Sequence, residues 1–206
     1  MPSLSSLLQI AASEGRGPSP SFTRGHFLLA FLSIGDSKMI GRQALARETG
    51  LGEGAIRTIL KKLTEHGYIE TIASGCRLTT SGRKVYAGIR QKLSRVIPLE
   101  GTTLTVGSAQ AAVAVKAGAR NLQAGIEQRD SAIMVGASGA TTYAIKGGRF
   151  TIPGGSSNCE RDFPSPAWRV LRKEIPLRDG DAVVLCGGES GQKAKVGAIS
   201  AALTLL

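Results

Sequence analysis

The chain has 206 residues, of which 42% are hydrophobic and 4% aromatic, with a formal net charge of +11. That length allows one large domain or two modest ones with buried cores, and the composition excludes a disordered chain. No apolar run approaches the roughly 18 residues of a membrane-spanning helix, so no membrane partner is expected.

Residues 1–20 read as a short helix followed by an extended arm that contains "GRGPSP". They have no basic segment ahead of an apolar one, so no secretory signal is expected. Cys76, Cys159 and Cys186 are scattered and odd in number, and two histidines give no metal-ligand spacing. Reduced thiols, a cytoplasmic location, no metal and no cofactor follow as expectations.

Residues 21–97 read as the first domain, with helical periodicity dominating residues 21–93. "TRGHFLLAFLSIG" puts Phe27, Phe31 and Ile34 on one face, and Gly35 is placed to end that helix. "KMI" reads as a short strand. "GRQALARETGLGEGAIRTILKKLTEHGYIE" then gives a short helix, a glycine turn, and a second helix with Ile56, Ile59, Leu60 and Leu63 along one side. That is helix–turn–helix patterning. Tyr68–Ile72 and Cys76–Leu78 form a hairpin around Ser74-Gly75, and Thr80 caps a last helix bearing Val85, Ile89 and Leu93.

The outward face of the second helix carries Glu53, Arg57, Thr58, Lys61 and Lys62. Arginine and lysine there can reach phosphates and guanine edges, and Thr58 can touch a thymine methyl. Arg42 and Gln43 open the preceding helix, where they would approach phosphates, and Arg77 lies on the hairpin. Residues 1–97 hold 14 Lys/Arg against 6 Asp/Glu, whereas residues 98–206 hold 12 against 9. The excess positive charge therefore sits with the helix–turn–helix, as a nucleic-acid footprint would. The order helix, strand, helix–turn–helix, hairpin wing, helix resembles the winged helix-turn-helix family of transcription regulators. The segments "LARETGLGEGAIRTILKKLTEHGYIE" and "LTTSGRK" carry the resemblance, which implies double-stranded DNA as partner.

"SRVIPLEG" (Ser94–Gly101) reads as a linker, since Pro98 stops helix continuation, and a domain boundary is expected between residues 97 and 98. Within 98–206, "TTLTVG", "AAVAVKAG", "SAIMVG" and "DAVVLCGG" read as strands, and "TTYAIKGGRFTIP" as a hairpin turning at Gly147-Gly148. "ARNLQAGIEQRD" and "GQKAKVGAISAALTLL" read as helices, and "AWRVLRKEIPL" is ambiguous between helix and strand. The expected class is α+β, a winged helix-turn-helix followed by a two-layer α+β domain with a mostly antiparallel sheet.

Enzyme motifs fail in this half. "GASGATT" has no lysine, "GGESGQKAK" has its lysine one place late for a P-loop, and no G-x-G-x-x-G or G-x-S-x-G occurs in a suitable context. No catalytic residue is expected. Glu127 and Asp130 fit a surface ion pair better than paired catalytic carboxylates. Two glycine loops are nonetheless candidates for a small anionic ligand, because exposed amides and a helix start attract negative charge. Their residues are Gly136, Ser138, Gly139, Thr141 and Thr142, and Gly187, Gly188 and Ser190, with Arg129 completing the charge. The competing interpretation is that these glycines only turn the chain.

As a whole the sequence resembles an archaeal family of predicted transcription regulators that join a winged helix to a C-terminal α+β domain of unknown function. "GPSPSF", "AGIEQRDSAIMVGASGATT" and "GDAVVLCGGESGQKAKVGAISAAL" carry that resemblance. It implies that architecture and a regulator; a homodimer is expected because two half-sites give a specificity that one small domain seldom achieves, with the C-terminal domain sensing a small ligand, dimerising, or both. Two alternatives stay open: an enzyme with an accessory winged helix, as in the archaeal riboflavin kinases, and a winged helix used for protein contacts.

Overall fold

The computed structural model describes residues 3–12 and 21–206, so the expected extended arm lies largely outside the described residues. The chain divides into two compact units, Met1–Arg90 and Gln91–Leu206. Among the described residues no helix is long and apolar enough to cross a membrane.

The first unit is built on helix α2 (Arg24–Asp36), which follows α1 (Leu4–Ala12). Thr23 caps α2 by accepting from the His26 amide, and the His26 ring returns a contact to the Thr23 amide, so histidine takes the place of the usual Glu or Gln of a capping box. Phe27 through Leu32 are all buried, which makes α2 the central helix rather than a one-sided one. Gly35 does not end it. The helix runs on to Asp36, because a bare Gly35 lets the Tyr86 ring lie against the backbone while the Tyr86 hydroxyl donates to Asp36 at 2.6 Å.

Helices α3 (Arg42–Thr49) and α4 (Glu53–Glu65) follow, with Gly50 in the left-handed conformation (φ 73°) closing α3. Ile56, Ile59, Leu60 and Leu63 are buried as their spacing required. Strands β1 (Ile69–Ile72) and β2 (Gly75–Leu78) pair antiparallel as the wing. The expected "KMI" strand is reduced to one bridge from Ile40 to Cys76. Helix α5 (Thr80–Arg90) is capped by Thr79, not Thr80: the Thr79 hydroxyl accepts from the Gly82 amide at 3.0 Å.

The second unit holds a five-stranded, wholly antiparallel sheet. Its strands are β3 (Ile97–Leu99), β4 (Ala109–Val115), β5 (Gly139–Lys146), β6 (Arg149–Thr151) and β7 (Ala182–Gly188), in spatial order β3-β4-β7-β5-β6. The division between units falls ahead of the expected linker, since Ile97–Leu99 is a strand paired with β4. One sheet face takes helix α6 (Ile126–Ile133) and the closing helix α9 (Gly191–Leu203); Gly197 of α9 leaves room for the Cys186 thiol. The other face takes the short α7 (Cys159–Asp162) and α8 (Ala167–Glu174), packed around Tyr143, Phe150 and Trp168. The α+β class with an antiparallel sheet holds, and the expected helical layer is joined by a second, smaller one on the opposite face.

Two expected strands are not strands. "SAIMVG" belongs to α6 and the turn after it, where Ala132 is buried while Ile133 and Met134 face solvent. "TTLTVG" is irregular, because the buried Gln110 side chain substitutes for a strand partner. Its amide nitrogen donates to the Thr102 carbonyl at 2.7 Å and its oxygen accepts from the Thr102 amide at 3.2 Å. The ambiguous "AWRVLRKE" is helical, with Trp168 and Leu171 inward and its arginines outward.

Candidate nucleic-acid interface

In the first unit a groove of about 620 Å³ lies between α4, the start of α3 and the wing. Backbone pairing sets its shape. The Ile40 amide donates to the Cys76 carbonyl at 3.1 Å and the Cys76 amide donates to the Ile40 carbonyl at 2.9 Å. These bonds tie Ile40, two residues before α3, to the wing, so Arg42 is held close to the hairpin. Gly75 makes the approach possible, since at φ 141° its missing side chain is the space the Ile40 carbonyl occupies.

Arg57 and Lys61, one helical turn apart on α4, line the opposite wall with Leu60 between them at the floor. Lys61 has only a loose partner, Glu65 at 3.8 Å, with both side chains more than half exposed. Arg42, Arg57 and Lys61 are all exposed cations around a concave strip whose far rim is Thr71–Gly75. Cys76 also lines it, and burial pushes its thiol up to about 11, so it contributes no negative charge at neutral pH. The arrangement offers three guanidinium or ammonium groups to a polyanion entering the groove.

The other predicted contacts divide. Gln43 is exposed on the first turn of α3 but does not line the groove, and Thr58 is exposed with its hydroxyl donating back to the Gly54 carbonyl at 3.0 Å. Lys62 departs from expectation: its ammonium donates to the Ile10 carbonyl at 3.0 Å, capping the end of α1 on the other side of α4. Arg77 is on the wing face opposite Cys76, paired with Glu70 at 2.7 Å. The sequence reading missed Ile40 and the wing tip, where Ile72 is 44% exposed. The alternation of Ile69, Thr71 and Cys76 against Glu70 and Arg77 could have separated the two wing faces.

The candidate ligand residues of the second unit do not converge on one pocket. Gly139 begins β5 opposite Gly187, and the Ser138 amide donates to the Gly187 carbonyl at 2.8 Å. "GASGATT" therefore follows a helix and starts a strand, where it was expected to follow one. Gly187 is bare because the Val106 backbone crosses directly over it, and Gly188 because α9 begins against it. Thr141 donates to the Leu104 carbonyl at 3.2 Å, whereas Thr142 points to the other sheet face, buried and with its hydroxyl unpartnered. Ser190 caps α9 by accepting from the Lys193 amide at 3.3 Å. Lys193 also holds Glu189 at 2.6 Å, which keeps that carboxyl below its usual range and puts a negative charge beside the helix start. Gly136 lies in an exposed turn (φ 87°), and Arg129 is exposed and paired with Asp130 at 3.0 Å.

Comparison with known proteins follows this division into units. Residues 28–84 match the family model "PH0730-like, N-terminal domain", and residues 106–205 match "Domain of unknown function (DUF4443)". No curated protein matches the chain. Among solved structures, the hypothetical protein PH0730 from Pyrococcus horikoshii OT3 is similar at 27% identity with a TM-score of 0.74, over 90% of this chain and 93% of that one. In both of its parts, then, the chain is similar to a two-domain archaeal protein.

Proposed function

We propose that the protein is a DNA-binding transcription regulator that grips duplex DNA through the groove of its first unit. The observation that carries this reading is the convergence of Arg42, Arg57 and Lys61 on one groove bounded by a helix and a wing. A helix of the length of α4 fits the major groove, and cations on its outward face contact phosphates or guanine edges. Lys62 and Arg77 are left out of that contact set, because each already has a partner inside the protein.

For the second unit, dimerisation is the better supported role. Gly139, Gly187, Gly188, Thr141 and Ser190 are spent on packing and pairing, whereas α6 and the residue that follows it expose Ile126, Ile133 and Met134 at 54%, 47% and 85%. Ile126 and Ile133 are two helical turns apart on one side, with the oppositely charged Arg129 and Asp130 between them. Two copies of such a face, antiparallel, place each arginine near the partner's aspartate. A non-catalytic role is part of the same reading: burial pushes the Cys186 thiol up to about 12 and raises Cys159 as well, so neither is a ready nucleophile.

The test is fluorescence anisotropy with the DNA upstream of the protein's own reading frame. Arg57→Ala with Lys61→Ala should weaken binding strongly. It should also reduce the slope of log affinity against log salt by about 0.9 per lost phosphate contact. Salt-insensitive binding by the unaltered protein sinks the proposal, as does turnover of a nucleotide that the groove variant does not affect.

A further inference from the structure

We infer that the second unit has its own phosphate-binding surface, around the β5–β6 turn, and that it holds duplex DNA without reading sequence. The inference rests on the reading above in taking DNA as the partner. Residues 91–206 contain fourteen lysines and arginines, and seven of these fall between 146 and 178, against three acidic residues in the same stretch.

The fold gathers several of them at one place. Lys146 and Arg149 are directly opposite each other across the hairpin that turns at Gly147-Gly148. Asp179 accepts from the amides of both glycines, at 2.9 and 2.7 Å, which brings its neighbour Arg178 to the turn. From α8, Arg172 donates to the Gly148 carbonyl at 2.7 Å and lies over the Phe150 ring, 5.3 Å from its centre. Arg172 is neutralised by Glu160 at 2.6 Å and serves as a strut. One turn back along α8, Arg169 projects from the same side of the helix.

Lys146, Arg149, Arg169 and Arg178 are exposed, and among the described residues none is paired with an acid. Like charges directly opposite each other on a hairpin are destabilising, so the unit alone gains nothing from Lys146 facing Arg149. An external polyanion reverses that sign. The cations are spread over an exposed turn and an exposed helix face. That layout suits the repeated phosphates of a duplex better than one small anion.

The experiment uses the full chain and a labelled random-sequence duplex of about 30 base pairs, titrated at several salt concentrations. A surface variant, Lys146→Gln with Arg149→Gln and Arg169→Gln, is compared with a groove variant, Arg42→Ala with Arg57→Ala and Lys61→Ala. The expected result is a salt slope shallower by about 2–3 in the surface variant and an unchanged melting temperature. A surface variant with the slope of the unaltered protein overturns the inference and leaves the groove reading standing. A groove variant that keeps the full slope while the surface variant loses it does the reverse. No duplex binding by the unaltered protein overturns both. Loss of binding to phosphatidylserine vesicles with an unaltered DNA slope assigns the surface to lipid, which also overturns it.

Discussion

Replacing Gly75 with alanine should separate the wing from the start of α3 and show how far the groove depends on that junction. A Cβ at residue 75 would collide with the Ile40 carbonyl, and the backbone there is at φ 141°, where side-chain-bearing residues are strained. Relief requires the hairpin to move off Ile40, which breaks the two Ile40–Cys76 hydrogen bonds of 3.1 and 2.9 Å. At about 1 kcal/mol for each bond and about 1–3 for the strain, the change costs about 3–5 kcal/mol. Gly67→Ala is the matched control: it too has positive φ (70°), but a Cβ there meets nothing within 4 Å, so only the strain of about 1 kcal/mol remains. Urea denaturation measures both costs, and DNA anisotropy measures the function. Gly75→Ala should lose more affinity than Gly67→Ala at temperatures where both remain folded, because only the first uncouples Arg42 from the wing. Equal losses in the two variants would falsify the view that the Ile40 junction shapes the groove.

Other substitutions probe the remaining assignments. Lys62→Met should cost about 1 kcal/mol of stability through the lost bond to Ile10, while the salt slope of DNA binding stays that of the unaltered protein. A slope that drops with Lys62→Met would return this lysine to the DNA contacts. Ile133→Glu should convert dimer to monomer in sedimentation, since it places charge in the exposed row of α6, and an unchanged mass refutes α6 as the contact. His26 predicts a pH dependence. Burial lowers its pKa from 6.5, so the unfolded chain binds the proton more readily than the folded one. Its contribution to stability is complete above 6.5 and is lost as pH falls below that value toward the folded pKa. His26→Gln, which can still cap, should show a smaller loss between about pH 7 and 5 than the unaltered protein, and an identical pH profile would refute the assignment.

The parts legible in the sequence are those where local pattern and tertiary environment agree. Helix α4 has four apolar residues at helical spacing and one buried face, so periodicity alone locates it. The Gly147-Gly148 hairpin is equally local, with both glycines at positive φ. The first part of α6 is legible within "ARNLQAGIEQRD", but its end is not, because "SAIMVG" is too short for the period to separate helix from strand and the exposed Ile133 and Met134 look like core. Lys61 and Lys62 are neighbours with opposite fates, and what distinguishes them is a carbonyl in α1, 52 residues earlier in the chain.

The glycines of "GASGATT" and "GGESGQK" carry the same lesson to the functional question. A glycine that admits a ligand's phosphate and a glycine that admits another stretch of backbone have identical local signatures. At Gly187 the intruder is the Val106 carbonyl, and at Gly188 it is the first turn of α9. Had Val106 lain elsewhere, Gly187 would stand uncovered where the end of β7 meets the start of β5. Displacing the segment 104–107 would expose it, but Thr141 and Tyr143 both donate to the Leu104 carbonyl, at 3.2 and 3.4 Å, and hold the segment down. The glycines thus serve the crossing of one chain segment over the sheet. Lys146, Arg149, Arg169 and Arg178, exposed and consumed by no such crossing, are the residues that the proposed DNA contact of this unit would use.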